Sequence, residues 1–149
     1  MTNDPTPGMS MIVKTVTRLT VWLILLYGIY IVLHGHISPG GGFAGGVIIA
    51  LSFIHLMLAY GKEMVLQTVS QRLAEIWEST GALVFLTIAL LGLTAGPLFT
   101  NFLPTGTPFA LFSAGAIPLS NIAISLKVWA GLFVIFVALV RLHIDAGDG

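Results

Sequence analysis

Charge is scarce in this sequence. Six Lys and Arg stand against six Asp and Glu, together 8% of 149 residues, with no net charge. A soluble domain has about a quarter of its residues charged, so a chain this poor in charge lacks the surface that keeps a protein dispersed in water. The same balance leaves no basic face for nucleic acid. Cysteine is absent, which excludes a disulfide framework and thiolate metal ligation. No nucleotide, haem or metal motif is present, so no cofactor is expected. The apolar run near the N-terminus is followed by no small-residue cleavage pattern, so it reads as an uncleaved first helix.

Apolar residues take the place of charge, at 56% of the chain. A hydrocarbon core about 30 Å thick needs roughly 20 apolar residues per helix, and the runs divide into four spans, at about 12–34, 43–60, 79–96 and 119–142. In the first, Lys14 and Arg18 snorkel to the interface ahead of the uncharged Leu19–Leu33. Pro39 and a cluster of glycines then enforce a turn. Phe43–Tyr60 is the second span and ends at Gly61-Lys62-Glu63. Between Lys62 and Glu78, apolar residues from Val65 to Trp77 recur every three or four positions among polar ones, which predicts an amphipathic helix lying in the interface. Gly81–Gly96 forms the body of the third span, closed by Pro97, and the fourth is interrupted by Lys127 alone.

The expected fold is therefore an all-α membrane protein. It has four transmembrane helices, with a cytoplasmic interfacial amphipathic helix between spans two and three, and forms one integral membrane domain over residues 1–149. Lys14, Arg18, Lys62, Arg72 and Arg141 flank the N-terminus, the second loop and the C-terminus, while the first and third loops hold no Lys or Arg. Excess Lys and Arg mark the cytoplasmic side, so both termini are expected there. The third loop, Pro97–Pro118, is uncharged, rich in Phe and broken by proline. Such a backbone needs protein partners, and the loop reads as a contact surface.

The run His34-Gly-His-Ile-Ser-Pro-Gly-Gly-Gly-Phe-Ala-Gly-Gly46, between two apolar helices, resembles the signature of the MnhB/MrpB family. Glu78 followed by Ser-Thr-Gly-Ala-Leu-Val-Phe85 is similar to that family's third helix, and Pro118 to Leu132 to its closing helix. The resemblance covers roughly Val13 to Leu142. It implies a small B subunit of a multisubunit Mrp-type antiporter in a prokaryotic cell membrane, exchanging cytoplasmic Na+ for external H+, and hence a transporter part rather than an enzyme. The partners it implies are other Mrp subunits, including large ones related to the proton-pumping subunits of respiratory complex I, and membrane lipid. B-like subunits also occur in membrane-bound energy-converting hydrogenase-type complexes. A purely structural scaffold subunit is the remaining alternative.

Lys127 is the sharpest single feature. A lysine near mid-span costs about 2.5–3.5 kcal/mol on insertion scales, so it is tied either to a partner or to a wet cavity. Its helical face holds Ser120, Ala123, Ile124, Ala130, Gly131 and Val134, mostly small, which suits contact with another helix. It is a candidate for an ion or proton path; snorkelling outward as an anchor is the alternative. Glu78 is a second candidate, at the cytoplasmic mouth of a path, although a carboxylate in a first turn also suits the helix dipole. His55, inside the second span, is a third: a proton relay or a histidine bonded to a neighbouring helix.

His34 and His36 supply too few ligands for catalytic zinc, so no metal site is expected; they read as a cap or as the lining of an outer entrance. Pro39, Gly40, Gly41 and Gly42 form the outer turn beside Phe43, a plug or anchor. The four-residue spacings Gly41/Gly45, Gly42/Gly46 and Gly92/Gly96 mark candidate close-packing faces.

Overall fold

In hydrocarbon every backbone amide must find its partner within the protein, and a helix achieves that within one segment. The computed structural model describes residues 9–37, 39–61, 70–97, 100–104, 106 and 114–147. It contains helices α1 (Met11–Leu33), α2 (Gly41–Tyr60), α3 (Gln71–Gly92) and α4 (Ile117–Gly147). All four are long and apolar enough to cross a membrane, and no strand occurs among the described residues.

The boundaries of the third span differ from expectation. α3 begins at Gln71, where the Ser70 hydroxyl accepts a hydrogen bond from the Leu73 amide and so caps the helix start. Arg72, Glu75, Trp77 and Glu78 therefore ride on the first two turns of the third spanning helix rather than on a separate surface helix. Residues 62–69, the first half of the expected interfacial helix, lie outside the described residues. At its far end α3 stops at Gly92, so Gly96 sits past the helix, against Thr100, and does not share a helical face with Gly92. The expected Gly92/Gly96 packing face is thus replaced by a turn.

The helices pack in the order α1, α2, α4, α3, as an open row rather than a closed bundle; α1 with α2 and α4 with α3 are antiparallel, while α2 and α4 run parallel, Gly42 meeting Asn121 and Gly46 meeting Ser125. At one end, Tyr60 donates its hydroxyl proton to the Lys14 carbonyl (3.1 Å) and the Met9 amide donates to Ala59 (3.0 Å), joining the start of α1 to the end of α2. At the other, the glycine turn meets the start of α4. Gly40 has a φ of +124°, open to glycine but strained for other residues, and it leads the chain directly into α2. A methyl group on Gly42 would collide with the backbone carbonyl of Asn121, and one on Gly46 would come within 2.8 Å of the Ser125 carbonyl. Gly45 turns the other way, onto Val32 of α1. These approaches let α2 sit backbone to backbone between its two neighbours.

Asn121 fixes this end. Its side-chain oxygen accepts from the Gly42 amide (3.3 Å), satisfying from α4 one of the donors that the first turn of α2 leaves open. The start of α4 is supported in turn by Asn101 of the third loop, whose side-chain oxygen accepts from the Ala116 amide (2.9 Å). Toward the basic end, Met57, Ala74, Phe133 and Val137 form the buried core, with Phe53 stacked on Trp129. The small Ala74 brings the first turns of α3 into that core.

Candidate functional site

α3 and α4 cross at Gly81. A Cβ there would stand 2.8 Å from the Lys127 amide nitrogen and 2.9 Å from the Ala123 carbonyl, so the two backbones touch. One turn further along α4, a methyl at Gly131 would lie 3.5 Å from the Glu78 carboxyl carbon, so the carboxylate rests on the bare glycine backbone. This register puts Lys127 Nζ 3.4 Å from Glu78 Oε1.

The place of the pair along its helices follows from the helix rise of about 1.5 Å per residue. Lys127 is two or three residues from the middle of Ile117–Leu142, and Glu78 three or four from the middle of Gln71–Gly92. Both are thus within ~5 Å of the middles of their helices. Inside an apolar span opposite charges side by side offset part of each other's transfer cost, where either alone would stand uncompensated. The pair is not enclosed by this chain: the lysine side chain is 51% and the glutamate 37% exposed. Lys127 lines an open cleft between the helices together with Gly81, Ala82, Phe85, Ala123, Ile124 and Val128, and Glu78 adjoins it through the ion pair.

Of the expected path residues, the structure brings Lys127 and Glu78 together and leaves His55 apart. Glu78 stands two turns inside its helix. His55 is exposed on α2; among the described residues no ion pair or hydrogen bond links it to the pair. His34 closes α1, its ring nitrogen Nδ1 lying 3.0 Å from the Tyr30 carbonyl and its ring stacked on Tyr30. His36 is partly buried in the turn, and Pro39 and Phe43 are exposed there. Gly41, with φ +57°, packs on Asn121 and Gly35. Among the described residues no group of three or more His, Cys, Asp or Glu converges. The residue that sequence reasoning passed over is Asn121; a single amide inside an apolar helix, opposite a glycine turn, was the available signal.

In comparison with known families, residues 12–134 match the family described as a domain related to the MnhB subunit of Na+/H+ antiporter. The chain belongs to this family. Among MnhB relatives, an uncharacterised protein of Methanocaldococcus jannaschii is 38% identical over 117 residues, which cover 74% of this chain and 44% of that one. A Staphylococcus aureus protein, named provisionally as antiporter subunit mnhB2, is 44% identical over 57 residues, 38% of this chain and 40% of that one. This MnhB-family chain thus spans less than half the length of these curated relatives. In fold it is similar to a chain of the membrane-bound sulfane sulfur reductase, an archaeal respiratory membrane complex, with a TM-score of 0.70 at 30% identity, over 91% of this chain and 62% of that chain. The MnhB family is named for a transporter subunit rather than for an enzyme.

Proposed function

We propose that this chain is a multi-pass subunit of a multisubunit Na+/H+ antiporter-type complex in a prokaryotic cell membrane, and that Lys127 and Glu78 form one stage of its ion or proton route. The observation that carries this reading is an ammonium and a carboxylate in contact on two long apolar helices, neither of them enclosed by this chain. Family membership supports the setting. In this reading the partners are large complex I-like subunits and other small Mrp subunits, both termini are cytoplasmic, and the chain carries out no chemical reaction of its own.

The pair gives a simple coupling. The Glu78 carboxylate can neutralise either the Lys127 ammonium or an arriving Na+. The ammonium and an arriving Na+ thus compete for one counter-charge.

The test is Lys127→Gln and Glu78→Gln in the whole complex, read as Na+-dependent dissipation of a pH gradient in everted membrane vesicles. The expected result is an assembled complex with antiport reduced at least tenfold. Unchanged antiport in an intact complex would refute the route and leave a scaffold subunit. A second reading, membership of a respiratory-type or energy-converting hydrogenase-type complex, is favoured by the fold shared with the sulfane sulfur reductase chain. The proteins that co-purify in mild detergent separate the two hosts.

A further inference from the structure

We infer that the cleft around Lys127 and Glu78 is the seat of a transmembrane helix from another subunit, and that this helix carries a carboxylate at the depth of the pair. The inference rests on the chain working inside a membrane complex; it does not require that ions pass the site.

The first argument counts hydrogen-bonding groups. An ammonium has three donors. The contact to Glu78 is long, at 3.4 Å, and among the described residues it is the only polar contact of Lys127 Nζ. Within an apolar span lipid tails accept no hydrogen bond, which leaves cavity water or a neighbouring chain to meet the remaining donors, and of these a fixed carboxylate also supplies opposite charge.

Charge sets the chemistry of that neighbour. The lysine is the more exposed member, 51% against 37%, so the outermost charge of the cleft is positive. A carboxylate meets it with opposite sign and with acceptors in the right place. A second copy of this chain docked by twofold symmetry would set ammonium against ammonium, which disfavours it as the occupant.

Shape agrees. Gly81, Ala82 and Ala123 leave the cleft floor low between the apolar walls of Phe85, Ile124 and Val128, as close approach of a helix backbone requires. On the other flank of α3 the large side chains of Leu83 and Leu86 are exposed, so the small residues are confined to the cleft.

The experiment uses the assembled complex. A photo-crosslinking amino acid is placed at Ala82 and, separately, at Ile124, with Leu139 on the far part of α4 as reference. The expected outcome is a cleft adduct to one different subunit, mapped to a transmembrane segment with Asp or Glu within one turn of the crosslink. Adducts to lipid alone, to a second copy, or to a segment without a carboxylate would overturn the inference. A second measurement reverses the pair as Lys127→Glu with Glu78→Lys, which keeps the internal contact but inverts the charge presented outward. At equal amounts of inserted chain, the crosslinked partner is expected to be at least fivefold depleted from the purified complex; full retention would refute the carboxylate. Adducts as expected with antiport unaffected by Lys127→Gln would refute the ion route and uphold the seat. Lost antiport without the adduct would do the reverse.

Discussion

Lys127 and Glu78 are worth more together than apart. Removing one leaves the other uncompensated near mid-span, and breaking such a pair is more damaging than replacing both members. Glu78→Gln and Lys127→Gln alone are each expected to lower the thermal stability of the detergent-solubilised complex more than the double replacement does; simple additivity of the three shifts would contradict the pairing. Asn121→Leu is expected to cost about 1 kcal/mol or more, as loss of a capping acceptor does, and to leave antiport intact in whatever complex assembles, which a melting curve and the vesicle assay check together. Lys127 and Glu78 were each legible in the sequence, because an intramembrane charge is conspicuous among apolar neighbours. Their contact was not, because it depends on the register of two helices separated by a long loop. His55 was conspicuous for the same reason as Lys127, yet rotation of α2 turns it outward.

At the scale of the element, glycine and alanine decide which backbones meet. Gly81→Leu is expected to push α3 away from α4, parting the ion pair without touching either charge. Antiport should then fall as far as in Lys127→Gln, although insertion of the chain is unchanged; full activity in Gly81→Leu would show that the crossing does not position the pair. Gly42→Ala tests the other crossing, where the added methyl meets the Asn121 backbone, and should reduce complex yield several-fold in membranes. The four helices were readable from hydrophobic runs because hydrocarbon thickness sets their length. The start of α3 was not, because the charges of Arg72, Glu75 and Glu78 mimic a surface segment, whereas the Ser70 cap and the Gln71–Glu75 side-chain hydrogen bond continue the helix through them.

At the scale of the whole molecule, an open row leaves large apolar side chains exposed on both outer helices, among them Trp22 and Leu26 on α1 and Leu83 and Leu86 on α3. In the proposed topology both ends of the chain lie on the cytoplasmic side. Reporter fusions at either end are expected to be active only for a cytoplasmic reporter; an active periplasmic reporter at one end would contradict four crossings. The antiparallel pairing of α1 with α2 could be anticipated from the short turn between them, but the insertion of α4 between α2 and α3, parallel to α2, could not, since it follows from the glycine turn meeting Asn121 rather than from any run of hydropathy.

That order carries a consequence for biogenesis. α3 packs chiefly on α4, yet α3 leaves the ribosome first. During synthesis Glu78 therefore enters the translocon before its counter-ion has been made, and the last helix to emerge must wedge between two already inserted neighbours to reach it.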